Sequence, residues 1–354
     1  MINLIQSLER RSLPPAVQAQ PIGGVRFDWT MVVLSGALVG GAHLDAWAHE
    51  HGRVDTSFFT PWHGVLYSAL LLVGAFLIIA FLRNVARGYD WRRALPVGYG
   101  LSLVGVLVFG AGGIGDMIWH VLFGVENDLE ALLSPTHLLL ALGWVLIASG
   151  PLRAAWQRAD DAPSELAAFP TVFALTFILS TFTFFTVYAN PFTHVLSAGT
   201  QPEEGEFVKA LGVTAFLIQP ALLMGVVLLA LRRWMLPFGS LTLLLTLNTA
   251  LLSVMHDLYI FIPVAALVGL LADGLIRVLR PSMERLAALR VFAFAVPAML
   301  YTFYFVTVLL TAGIAWSTHL WTGAIALAGV VGLLLSYLAA PPRYPTTQFA
   351  APRW

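Results

Sequence analysis

The sequence predicts an all-α protein: a polytopic transmembrane helical bundle of about ten helices, built from repeated helical hairpins, with both termini cytoplasmic. Three observations predict it. Of 354 residues, 58% are hydrophobic and 11% charged, with a mean hydropathy of +0.81, so the charged residues are too few to cover a water-facing exterior. Apolar runs of roughly 20 residues recur, which is the length that crosses a bilayer core. The basic residues also gather at alternate turns between those runs, as the positive-inside rule requires.

In chain order, helices are expected at about 28–49, 62–83, 96–121, 135–156, 168–190, 207–231, 236–256, 260–280, 287–312 and 319–340. Almost no loop separates the seventh from the eighth. On one side of these helices lie Arg10, Arg11 and Arg26, then Arg83, Arg87, Arg92 and Arg93, then Arg153 and Arg158. Arg232, Arg233, Arg277, Arg280, Arg285, Arg290, Arg343 and Arg353 continue the series. Together they make 17 of the 19 basic residues, leaving Arg53 and Lys209 for the other side. The expected organisation is a cytoplasmic segment 1–27, a single transmembrane domain 28–340 and a cytoplasmic tail 341–354. Within that domain, 28–156 carries two hairpins with ligand motifs and 157–340 carries further hairpins. Residues 1–25 lack the apolar core of a cleaved signal peptide, so the first span serves as the insertion signal.

Zero net charge gives no basic surface for nucleic acid. The absence of cysteine removes disulfides, thiolate metal sites and ordinary iron–sulfur clusters. All nine histidines, His43, His49, His51, His63, His120, His137, His194, His256 and His319, fall at the turns opposite the arginines, on the expected outer or periplasmic side of the plasma (inner) membrane. Histidine is the commonest metal ligand, and ionisable groups at membrane depth are usually kept for function.

Two of these turns repeat a pattern. Asp45 and His49 enclose Ala-Trp-Ala, and Thr60-Pro61-Trp62-His63 follows. Asp116 and His120 enclose Met-Ile-Trp, and Ser134-Pro135-Thr136-His137 follows. Residues four apart share a helical face, so each Asp-x3-His forms a two-ligand edge. Thr60 and Ser134 suit an N-cap and Pro61 and Pro135 the first helical position, which puts His63 and His137 third. There the helix dipole disfavours imidazolium, and a neutral imidazole is what a metal needs. One carboxylate and two imidazoles without sulfur suit copper, zinc or non-haem iron.

Later turns carry weaker echoes: Asn190 four before His194, then His256 with Asp257, then His319, all further metal candidates. His43 and His51 flank the first motif as neighbours rather than ligands. Trp47, Trp62 and Trp119 read as an interfacial belt. Glu126, Asp128 and Glu130 read as a solvated loop whose Glu126 and Glu130 could guide cations, and Glu203, Glu204 and Glu206 as a solvated loop. Asp273, four before Arg277, reads as an ion pair.

At these residues the chain resembles the C subunit of the copper membrane monooxygenases, the particulate methane and ammonia monooxygenase family. The stretches Asp45–His49 and 55–63 (DTSFFTPWH) are similar to one copper motif of that family. The resemblance implies ligand positions for Asp45, His49 and His63. The family's second site, Asn-x3-His followed by acidic residues and Pro-x-His, is similar to the run through Asp116, His120, Glu126, Glu130, Pro135 and His137. It departs in having Asp at 116 and a longer loop. The resemblance covers about residues 40–140 and implies copper, O2, a small apolar substrate and other monooxygenase-type subunits beside the lipid bilayer. The family's three-subunit assembly has a copper-bearing soluble part that this chain does not supply. Two other classes stay open from the residues alone: outward-facing metal-ion transport or handling, and bis-histidine haem electron transfer.

Overall fold

The apolar runs fold as helices, because inside a bilayer the backbone must satisfy its own N–H and C=O groups. The computed structural model describes residues 20–53, 58–124, 128–158, 165–199 and 205–341. Expectations for Arg10, Arg11, Arg343 and Arg353, for Asp55 to Ser57, and for Glu126, Glu203 and Glu204 lie outside the described residues. The described residues are helical with no strand, only an isolated bridge between Ala198 and Ile314. Among them, eight helices are long and apolar enough to cross a membrane.

The chain divides into two compact units, Met1–Phe177 and Ile178–Trp354. The first contains α1 (Gly24–Glu50), α2 (Pro61–Ala86), α3 (Gly100–Phe123), a short α4 (Asp128–Leu133), α5 (Pro135–Ala148) and α6 (Gly150–Gln157). The boundary falls within α7 (Glu165–Phe185). α1 pairs with α2, and α3 runs along α5. The α3–α5 contact is very close: a methyl on Gly143 would stand 2.6 Å from the Phe109 backbone nitrogen. Small residues let helix backbones approach in this way where lipid supplies no hydrophobic drive between helices.

The fourth expected helix, 135–156, is broken. α5 and α6 meet at Ser149 with a bend of 40°. Pro151 has no N–H to give the carbonyl of Ile147, and its ring crowds the preceding turn. The freed acceptors find other donors. Ser102 Oγ donates to the carbonyls of Leu146 and Ile147 at 3.2 and 3.3 Å, and Arg153 donates to Leu146 at 2.9 Å. Hydropathy sees one apolar run, but the hydrogen bonds require two helices.

A buried ionic group also lies in this unit. Asp28, 1% exposed, accepts a hydrogen bond from Tyr99 Oη at 2.6 Å and pairs with Arg158. Its partners lie far along the chain, so spacing gave no hint of them. A buried carboxylate with both a cation and a hydroxyl is a satisfied group, and it ties the start of α1 to the end of α6.

The second unit holds α8 (Glu206–Leu231), α9 (Ser240–Met255), α10 (Phe261–Leu279), α11 (Leu286–Thr311) and α12 (Thr318–Ala339). α9 pairs with α10 and α11 with α12, as hairpins should. The third expected hairpin departs from this, because α8 packs chiefly along α12. α9 has 16 residues, shorter than a typical span. The core is aromatic: Phe216, Tyr301, Tyr304 and Phe305 stack or meet edge-on at 4.9–6.3 Å.

Asp273 does not pair with Arg277. The N-cap of α9 is Gly239, which has no side chain to cap with. Asp273, 1% exposed, supplies the missing acceptors from α10. Its carboxylate takes the backbone N–H groups of Gly239, Leu241 and Thr242, each at 3.0 Å, and the Thr242 hydroxyl at 2.7 Å. These are the donors that a helix start leaves orphaned. Arg277 instead lies over the Phe238 ring, 4.2 Å from its centroid.

Candidate metal centre

α1 carries Asp45 and His49 in its last turns, and α2 returns His63 in its first. Thr60 Oγ1 accepts the His63 N–H at 3.1 Å with Pro61 as the first helical residue, the cap that the sequence predicts. The second motif is capped alike: Ser134 Oγ accepts the His137 N–H at 3.3 Å, with Pro135 opening α5. Each cap fixes the helix start, and with it the direction from which the third-position histidine returns.

In the first set, Asp45 Oδ2 stands 3.3 Å from His63 Nε2 and 3.8 Å from His49 Nε2. One donor atom from each residue lies within 4.8 Å of the others. Among the described residues this is the one group of three or more His, Asp or Glu side chains that converges so closely. Two details suit a cation there. His63 Nδ1 meets the Phe58 carbonyl at 2.5 Å. A carbonyl only accepts, so Nδ1 carries a proton, and Nε2 is the ring atom that faces Asp45 and that would donate a lone pair to a metal once its own proton is displaced. The other Asp45 oxygen, Oδ1, is buried with no hydrogen-bond partner among the described residues, so the carboxylate keeps acceptor capacity beyond the oxygen that faces the two imidazoles. The donor set and its surroundings therefore fit a metal ion held by Asp45, His49 and His63.

The second set is arranged differently. Asp116 Oδ2 is 3.4 Å from His120 Nε2, and Asp116 Oδ1 is 3.5 Å from His137 Nδ1. These contacts are pairwise, and the three donors do not converge as the first three do. Neighbouring hydroxyls account for this. Thr136 Oγ1 donates to Asp116 Oδ1 at 3.0 Å, and Ser134 Oγ lies 2.7 Å from His137 Nδ1. The Asp116 carboxylate, 2% exposed, is thus already hydrogen-bonded. His120 Nδ1 faces the Gly124 carbonyl at 3.2 Å, which leaves its Nε2 toward Asp116.

The two sets are neighbours. The Phe58 ring lies 4.6 Å from the His63 ring and 6.5 Å from that of His120. Tyr67, one turn after His63, sits 6.1 Å from its ring and feels the charge of both Asp45 and Asp116. Its hydroxyl needs Gly113, where an added methyl would stand 2.5 Å away. Phe58, Tyr67 and Thr136 hold no ligand position in either motif, yet they border the two sets. The four-residue step from His63 to Tyr67 is the signal that could have found Tyr67.

The remaining candidates separate from this centre. His43 is buried, with Nδ1 2.9 Å from the Val39 carbonyl and its ring edge-on to Trp144. His51 stacks on Trp47 and meets the Trp47 carbonyl at 2.8 Å. Trp62 Nε1 donates to the Arg53 carbonyl at 2.9 Å. In the second unit, Asn190 and His194 do not share a helical face, because α7 ends at Phe185. Asn190 Oδ1 instead accepts the Phe192 N–H at 3.0 Å, and its carbonyl takes the His194 N–H, closing a turn. His194 and His256 do meet, with ring centroids 5.3 Å apart. Asp257 takes a left-handed backbone and accepts the Tyr259 hydroxyl at 2.7 Å. His319 lies exposed in the first turn of α12. Comparison with family models, curated proteins and solved structures gives no match for this chain.

Proposed function

We propose that this chain is a copper-binding integral membrane subunit of a monooxygenase-like oxidoreductase, acting with O2 on a small apolar substrate. It sits in the plasma (inner) membrane with the Asp–His centre on the outer side. The observation that carries the reading is the convergence of Asp45, His49 and His63, whose donor atoms lie within 4.8 Å of one another. Two imidazoles and one carboxylate suit copper, zinc or iron, and the resemblance to the copper membrane monooxygenases selects copper. When bound, copper supplies activation of O2. The chain's residues hold and orient: the Phe58 carbonyl fixes the His63 tautomer, and the Thr60 cap fixes its approach. Leu122 and Phe123 expose apolar surface beside the second set, where an apolar substrate could arrive from lipid. The transport reading needs polar groups continuing through the spans. It loses the one it had, because Asp273 serves as a helix cap.

Copper quantification on the purified full-length chain tests this. After copper loading and dialysis, about one copper per chain should remain and show nitrogen coupling in its paramagnetic resonance spectrum. His63→Ala should lose it, and His137→Ala should keep it. Wild type that retains no copper would refute the reading.

A further inference from the structure

The α1–α2 hairpin carries a second feature at its other end. A cavity of about 340 Å³ opens between the start of α1 and the end of α2, lined by Phe27, Phe76 and Ile79 together with Arg83, Arg87 and Tyr89. Its rim is fastened by hydrogen bonds. Val97 N–H donates to the Pro21 carbonyl at 2.9 Å, Gln20 Nε2 to Leu95 at 3.0 Å, and Asn84 Nδ2 to Ala94 at 2.8 Å.

Both arginines are exposed, and among the described residues neither has a carboxylate within ion-pair distance. Helix C-termini often use arginine to cover their last carbonyls, but that role is filled here. The N–H groups of Arg87, Gly88 and Tyr89 already bond the carbonyls of Arg83, Asn84 and Val85 at 2.9–3.1 Å. Arg87 makes one long contact, 3.5 Å to Asn84 Oδ1, which leaves its other donors for a ligand. Depth adds a second argument. Arg83 follows His63 by 20 residues of continuous helix, which at about 1.5 Å per residue spans roughly 30 Å, the thickness of the hydrocarbon core. With the histidine end at one interface, Arg83 stands at the headgroup level of the other.

We propose that this cavity binds an anionic phospholipid, its phosphate held by Arg83 and Arg87 and the start of an acyl chain lying against Phe27, Phe76 and Ile79. The cavity volume is that of a small-ligand site, and its charge matches a headgroup with no compensating cation. The same phosphate could come from free inorganic phosphate, but Phe27, Phe76 and Ile79 would then have no role.

Native mass spectrometry of the full-length chain in non-ionic detergent separates these sources. The titrants are dioleoylphosphatidylglycerol, dioleoylphosphatidylcholine and inorganic phosphate. Phosphatidylglycerol should bind about tenfold or more tightly than either of the others. Arg83→Gln/Arg87→Gln should weaken it by about tenfold or more. Ala80→Trp, which fills the cavity but keeps both charges, should weaken it as well. Arg92→Gln/Arg93→Gln, off the cavity, should leave it unchanged. Equal binding of phosphatidylcholine, or competition by inorganic phosphate at matched concentration, overturns the proposal. So does an equal loss in Arg92→Gln/Arg93→Gln, which would mean diffuse surface attraction.

Discussion

Replacing Asp273 separates a structural carboxylate from a functional one. The side chain accepts three backbone N–H groups and one hydroxyl while almost wholly buried. Asp273→Ala leaves those donors without an acceptor, and each buried orphan costs about 1–3 kcal/mol. Water can reach Gly239 and Thr242, which are only part-buried, so the lower end of that range applies to their three donors, and with the Leu241 N–H the total comes to about 4–6 kcal/mol. Asp273→Asn fares better. Its amide oxygen can occupy the Oδ2 position and keep Gly239 and Thr242. Its amide nitrogen then faces the Leu241 N–H, so one bond and the charge are lost, at about 1–2 kcal/mol. Unfolding of the purified chain in mixed micelles, titrated with a denaturing detergent and followed by circular dichroism, reads both values. An Asp273→Ala protein within about 1 kcal/mol of wild type, or an asparagine variant as unstable as the alanine variant, would refute the capping role. In liposomes, a metal flux lost in a stably folded Asp273→Asn protein would restore the transport reading.

Thr60→Ala should cost about 1 kcal/mol as a lost cap and, by loosening the return of His63, should lower copper retention more than the matching Ser134→Ala does; metal content against stability for both variants checks this. Gly143→Leu should force α3 away from α5, since even a methyl there meets the Phe109 backbone at 2.6 Å, and a cross-link between cysteines placed on facing turns of the two helices should then fail to form. Ser102→Ala should destabilise by about 1–3 kcal/mol, because the carbonyl of Ile147 freed by Pro151 loses its hydroxyl; a wild-type unfolding midpoint would contradict that account. Tyr67→Phe should leave the copper content intact while changing the electronic spectrum of the loaded centre, and an unchanged spectrum would remove Tyr67 from its surroundings.

Much of this was legible because it is local. The Thr-Pro-x-His and Ser-Pro-x-His entries specify caps within four residues, and both caps form with the histidine third, as spacing predicts. The apolar runs mark the helices for the same reason. What was not legible depends on partners far along the chain. Asp28 meets Tyr99 and Arg158 across 71 and 130 positions. Asp273 reaches the start of α9 rather than the arginine one turn away. Spacing could also mislead: Asn190 and His194 are four apart, but the helix that would have aligned them ends earlier. The second Asp–His set shows a further limit. Its Asp-x3-His and Pro-x-His steps repeat those of the first across a longer loop, yet the hydroxyls of Thr136 and Ser134 compete for the same donor and acceptor atoms. In the first hairpin the residue before the returning histidine is Trp62, which has no hydroxyl to contribute.

The placement of the first set within residues 45–63 bears on how the protein is made. Asp45, His49 and His63 all belong to the first hairpin, so the centre is complete once two helices have entered the bilayer, with most of the chain still to be synthesised. On the proposed reading, every donor for the metal is therefore in place before the later helices are made. A truncation ending after α2 is the smallest fragment that contains every donor of the set on two whole helices.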